Sequence, residues 1–253
     1  MVVYQCEDSI ESIFTAIYDA YADKCDHADT RISLTDELLL FAEYQKVIPD
    51  NEKVRKVIRT LKKRFGEENY MTICFALASV SEEKAQAVYQ LVVYGLRTNC
   101  GYGHLFDNLA NEATHKVFTL ARGASNENHH LLGFVRFMEL ENGIMFSKIG
   151  PKNNVLTFMM PHFVDRFPME NFMIYDENRD LFAIHPAGHD WYLISSEEIV
   201  TESICFNLSK QEHLYQELFK QFCHTIAIKE RRNTKLQNNM MPLRFQEYMI
   251  EFQ

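Results

Sequence analysis

Two segments in the second half of the chain set an arginine just before a phenylalanine in apolar surroundings, a few residues after a histidine. One is His129-His130-Leu131-Leu132-Gly133-Phe134-Val135-Arg136-Phe137, the other Pro161-His162-Phe163-Val164-Asp165-Arg166-Phe167. A guanidinium fork matches phosphate oxygens, so Arg136 and Arg166 are candidate phosphate or ligand anchors. His129, His130 or His162 could work as an acid/base group or hydrogen-bond a phosphate near neutral pH. Read on a strand, Phe134 and Arg136 share one face, and there they would make a platform for stacking a base and gripping its phosphate. The structural reading stands beside these. An arginine drawn into apolar surroundings must be paired, here by Asp165, Glu139 or another acid.

Charge is unevenly spread. The net formal charge is −9, yet residues 51–64 and 226–244 hold 12 of the 26 basic residues against two acids, Glu52 and Glu230. Everything outside those stretches sits at −19. At about 100° per residue, Val54, Val57, Ile58, Leu61 and Phe65 form one narrow apolar face of a helix. Arg55, Lys56, Arg59, Lys62 and Lys63 gather opposite it. With Arg231, Arg232 and Arg244 from the second stretch, these are the candidate nucleic-acid contacts. Two solvated helix faces would give the same pattern.

Other chemistry is less well served. No CxxC or CxxxCxxC spacing offers a zinc ribbon or an iron–sulfur set. There is no GxxxxGK[ST] loop and no GxSxG elbow, and Gly101-Tyr102-Gly103 is too short for a dinucleotide fingerprint. His185 and His189 have an HxxxH spacing with Asp190 beside them, but on a turn rather than a helix, so a hairpin loop is the expectation. Cys223 and His224 are adjacent on a helix and face different ways. No metal site and no cofactor are expected.

These residues need a scaffold. Val2 to Cys6 reads as a strand. Asp8 or Ser9 caps a helix whose Ile10, Ile13, Phe14, Ile17, Tyr18 and Tyr21 form one stripe. A short helix is expected from Thr35 or Asp36 through Phe41. The basic helix opens after Pro49 and ends at Gly66. Helices are expected over 70–78, from 81–83 to about 96, and from 105 to 122, ending at Gly123. The pattern then changes. Leu132 to Leu140 reads as a strand, Glu141-Asn142-Gly143 as a hairpin turn, and Ile144 to Ile149 as the return. Val155 to Met159 reads as a third strand and Pro161 to Phe167 as a short helix with proline in its first turn. Asn171 to Tyr175, Leu181 to Ile184 and Trp191 to Ile194 follow as strands. Helices over 210–228 and 242–252 close the chain. The expectation is a single compact α+β domain over 1–253: a mostly helical part over 1–125, an antiparallel sheet of about five or six strands over 126–200, and helices over 201–253 packing back.

With 47% apolar residues the chain can bury a proper core. No apolar run approaches the roughly 18 residues that span a membrane. The N-terminus lacks a signal peptide's basic and apolar regions, and six scattered cysteines suit reduced thiols, so a cytoplasmic location is expected.

The same segments carry a resemblance. His129 followed four residues later by Gly133-Phe134-Val135-Arg136-Phe137, Pro161-His162-Phe163 with Arg166-Phe167, and Met241-Pro242-Leu243-Arg244-Phe245 with Glu251-Phe252 are similar to the signatures of a bacterial DNA repair and DNA metabolism family. Tyr4 and the helix through Phe14 to Tyr21 resemble its opening. Asn171-Phe172 stands where the family commonly has a large aromatic, and Phe245-Gln246 where it usually has Tyr-Trp. The family contains a domain of unknown function, is usually encoded beside a radical SAM protein of DNA modification or repair, and is sometimes fused to a uracil-DNA-glycosylase-like domain. The resemblance implies an accessory role in DNA metabolism with a radical SAM partner and DNA, and no membrane. Three readings follow: an accessory protein binding nucleic acid or a phosphate-bearing ligand; an interaction module for that partner without DNA binding; and an enzyme on a nucleobase or nucleotide with His129 or His162 as acid/base.

Overall fold

The structure is a computed structural model that describes residues 1–23, 26–36, 39–198 and 206–253. They gather into two compact units, 1–125 and 126–253. The architecture is α+β, with helices first, a five-stranded and mostly antiparallel sheet in the middle, and helices to close.

The first unit begins with β1 (Val2–Gln5), the centre of a small parallel sheet with β2 (Thr30–Ser33) and β3 (Glu43–Lys46) at its edges. Neither edge strand was expected. The short helix expected near 35–41 is not formed at the described residues of that stretch; 37 and 38 lie outside them. Parallel strands need a crossover, and α1 (Ile10–Ala22) supplies it between β1 and β2. Ser9 caps α1 by accepting the Ser12 N–H. Its stripe of Ile13, Phe14 and Ile17 is buried. Asp50 caps α2 (Asn51–Phe65) through the Glu52 and Lys53 amides, and Gly66, at φ +96°, ends it. Val54, Val57, Leu61 and Phe65 are buried as the periodicity required. Two further helices, α3 (Glu67–Leu77) and α4 (Lys84–Arg97), pack into the same core. A β-carbon on Gly95 of α4 would lie 2.7 Å from the Phe65 ring, so only glycine lets α4 approach so closely.

The 105–122 helix is longer and later than expected. As α5 it runs over Glu112–Phe134, 23 residues, passing through Gly123 and Gly133. The strand expected over 132–140 is therefore mostly absent; only β4 (Met138–Glu139) remains of it. Phe134 is on the last turn of a helix and Arg136 on the segment after it, so the shared strand face is not formed.

The second unit holds a sheet in the order β4, β5 (Met145–Ile149), β6 (Phe172–Asp176), β7 (Leu181–His185) and β8 (Tyr192–Ser195). The 141–143 turn joins β4 to β5, with Gly143 at φ +77°. The β5–β6 pair is parallel and the rest antiparallel. Its crossover is α6 (Leu156–Arg166), which absorbs the expected third strand. Leu156, Met159, Met160 and Phe163 form the helix's buried face, so the 155–159 apolar run packs at a helical period. Pro161 lies inside this helix rather than in its first turn. Three helices follow: α7 (Lys210–Ile226), α8 (Thr234–Met240) and α9 (Leu243–Gln246). The single helix expected over 242–252 is α9 plus a 3-10 turn at Ile250–Phe252.

Candidate functional site

The two Arg-Phe segments meet through their phenylalanines. The Phe137 ring stands edge-on to Phe163 at 5.4 Å and to Phe167 at 5.7 Å between centroids, and to Phe172 of β6 at 5.5 Å. Such edge-to-face rings add specificity beyond area burial.

The arginines go elsewhere. Arg136 Nη2 donates to Glu251 Oε1 at 2.8 Å, and Nη1 donates to the Gly133 and Val135 carbonyls at 3.0 and 3.2 Å. It thus satisfies carbonyls that the end of α5 leaves open. The paired acid is neither Asp165 nor Glu139. Arg166 is exposed, its guanidinium 5.5 Å from the Phe167 ring centroid. Phe134 is half-buried, stacked on His130 at 5.7 Å and tilted against Phe245 at 5.4 Å. His129 and His162 are exposed. Among the described residues no hydrogen bond or ion pair joins either histidine to Arg136 or Arg166.

The HxxxH pair is tied to nearby carbonyls through one ring nitrogen each. His185 Nδ1 is bonded to the Glu170 carbonyl and His189 Nδ1 to that of Ala187. Among the described residues no three of His, Cys, Asp and Glu converge to hold a metal.

Buried acids that sequence reasoning missed hold the second unit's loops. Glu127 of α5 is almost wholly buried. Its carboxylate accepts from the Lys152 amide at 3.0 Å, the Asn153 amide at 2.8 Å and the Asn153 side chain at 2.6 Å, and pairs with Arg244 at 3.2 Å. Arg244 is therefore engaged inside the fold, with its guanidinium also 4.6 Å from the Phe245 ring centroid. Asp176, fully buried, takes Arg179 at 3.0 Å. Burial pushes the Asp176 carboxyl above its ordinary value, against the pull of Arg179. Lys148 Nζ and the Tyr248 hydroxyl both bond the Glu177 carboxylate. The Lys148 contact, and secondarily Tyr248, hold Glu177 below the usual carboxylate range. A sequence without its fold carries no signal for these partners.

Beside this network lies a groove of about 920 Å³, lined by Arg136, Lys148, Glu177 and Tyr248 together with Tyr215 and Phe219 of α7. No residue of α7 is buried, and Leu214, Tyr215, Leu218 and Phe222 are each more than half exposed. Arg231 and Arg232, further along, are exposed.

In the first unit α2 lays out the expected basic face. Arg55, Lys56, Arg59 and Lys63 are exposed. Lys62 is half-buried and engaged, with Glu67 at 2.8 Å and the Tyr70 ring 4.6 Å from its Nζ. Lys53 pairs with Asp19 at 2.6 Å and Arg64 bonds the Asn99 side chain. Among the described residues no carboxylate pairs with Arg55, Lys56, Arg59 or Lys63. Lys56 Nζ lies 5.4 Å from the Tyr18 ring centroid. No helix among the described residues is long and apolar enough to cross a membrane.

No curated protein and no solved structure matches the chain significantly. The family model described as a domain of unknown function, DUF4130, matches residues 82–251, which takes in α4, α5 and nearly all of the second unit. More than half of the chain is matched, and the chain belongs to the DUF4130 family.

Proposed function

We propose that this protein is an accessory factor in DNA repair or DNA metabolism that binds nucleic acid through the basic face of α2 and acts with a radical SAM partner. One observation carries the nucleic-acid part. Four cations, Arg55, Lys56, Arg59 and Lys63, project from one helix face, and among the described residues none of them forms an ion pair, with Glu52 the one acid of that face, in a chain of net charge −9. Clustered like charge on one surface creates a local potential that attracts polyanions. Arg166, Arg231 and Arg232 are exposed and add to the candidate contacts. Arg136 and Arg244 support the fold instead, since each is already bonded to a carboxylate.

The partner and the DNA-repair setting rest on the resemblance of the 129–137, 161–167 and 241–252 segments. A second reading, an interaction module without DNA binding, is favoured by the exposed apolar side of α7.

Fluorescence anisotropy with labelled oligonucleotides over a salt series tests the proposal. Binding should weaken as salt rises, with log K falling by about 0.7–0.9 per contacted phosphate for each unit of log salt. Arg55→Ala with Arg59→Ala and Lys63→Ala should reduce both affinity and slope. Absence of binding at low salt, or binding indifferent to salt, would leave the interaction module as the better reading.

A further inference from the structure

The first unit holds a small pocket beside the basic face. It has a volume of about 210 Å³ and is walled by Ile17, Tyr18 and Tyr21 of α1, Lys56 and Thr60 of α2, and Val92 of α4. Its size falls below that of drug-sized ligand sites. One planar ring system suits it better than a whole nucleotide.

Two features of the wall point to the same ligand. Tyr18 is half-buried, and Lys53 and Lys56 place their ammonium groups 5.9 and 5.4 Å from its ring centroid. An aromatic face bordered by cations is how proteins hold a base attached to a backbone phosphate. Arg59 and Lys63 continue the cationic line one turn and two turns along α2 from Lys56. A base brings a π-face for Tyr18, and the phosphates flanking it bring the counter-charge for Lys56, Arg59 and Lys63. An apolar side chain in the same pocket would leave those cations unmatched.

We infer that the pocket between α1, α2 and α4 receives one unstacked nucleobase, so the basic face of α2 prefers single-stranded nucleic acid to duplex. This inference rests on the nucleic-acid reading above and specifies its substrate class. The phosphates of the strand run along Lys56, Arg59 and Lys63, and the base turns in between Tyr18 and Thr60.

The test compares three fluorescein-labelled probes on the full chain over one shared salt series: a short oligothymidine, the same backbone built of abasic spacers, and a duplex of equal length. Oligothymidine should bind about tenfold tighter than the other two, the scale of one base–aromatic stack. Tyr18→Ala removes a wall of the pocket. Thr60→Leu, at an exposed position, fills its mouth without touching the core. Each should bring oligothymidine down to the abasic level while leaving abasic binding and its salt dependence as they were. If Tyr18→Ala fails to fold, as read by circular dichroism, Thr60→Leu decides alone. Equal binding of oligothymidine and abasic strand, or a preference untouched by Thr60→Leu, overturns the base pocket. Salt-dependent binding of all three probes would then still support the basic face. No binding of any probe at low salt overturns both.

Discussion

Arg136 and Glu251, 115 residues apart in sequence, are joined by a 2.8 Å ion-paired hydrogen bond. The pair does two jobs at once. The Nη1 side of the guanidinium closes the last turn of α5 on the Gly133 carbonyl, and the Nη2 side neutralises a carboxylate that is 13% exposed. The second Glu251 oxygen is buried with no hydrogen-bond partner among the described residues, so Arg136 is the carboxylate's main compensation there.

Removing that compensation should cost stability rather than affinity. Arg136→Met leaves a largely buried, uncompensated carboxylate, with an expected loss of about 2–3 kcal/mol, discounted from the fully buried case because Arg136 is partly exposed. Urea denaturation reads it. Oligonucleotide affinity should be unchanged; a large loss of affinity in a folded variant would return Arg136 to the phosphate contacts.

Glu127 and Arg244 sharpen the same distinction. Glu127→Ala should cost about 3 kcal/mol or more, since it orphans Arg244 and the Lys152 and Asn153 amides together. Amide hydrogen exchange at Lys152 and Asn153 should rise in the same variant. Arg244→Ala should destabilise with little effect on nucleic-acid binding. Arg231→Ala with Arg232→Ala should do the reverse, being exposed changes worth no more than about 0.5 kcal/mol to the fold.

Glu177 gives a pH-dependent test. Its folded carboxyl is held below the ordinary glutamate value of 4.5, first by Lys148 and then by Tyr248. A depressed acid contributes stability that is present above the unfolded value and is lost as pH falls through the folded one. Wild type should therefore exceed Glu177→Gln by about 0.5–1 kcal/mol at neutral pH. The gap should close progressively below pH 4.5. Denaturation curves at pH 7 and pH 3 check it, and a gap that widens in acid would contradict the assignment.

Where the chain repeats a strong local signal, the fold was legible. The α1 and α2 stripes, the 141–143 turn and the strands β5 to β8 all followed from periodicity and turn residues. Elsewhere tertiary packing overrode the local signal. Gly123 and Gly133 each cost a helix only about 1 kcal/mol, and α5 continues through both, burying Ala124, Glu127 and Leu131. The 155–159 run was ambiguous because a short apolar stretch fits a buried strand or a buried helix face equally well. The edge strands β2 and β3 hold one apolar residue each, Ile32 and Tyr44, so no alternation announces them. Of the site, the α2 cations were legible because exposure follows from the opposite apolar face. The partners of Arg136 and Arg244 were not, because long-range pairing leaves no trace in spacing. The base pocket was hidden too, since Tyr18 and Tyr21 extend an ordinary core stripe.

The small sheet of the first unit has a kinetic consequence. Val2 pairs with Thr30 on one side and Glu43 on the other, and both pairings are parallel. No hairpin can start such a sheet, because each ladder needs a long loop closed before its first hydrogen bond is gained. In the second unit Asp176 pairs with Leu181 across a short turn, so β6 and β7 can zip locally. During refolding, pulse-labelled amides of β6 and β7 should gain protection before those of β1, which places the wall behind α1 and α2 among the last parts of the chain to set.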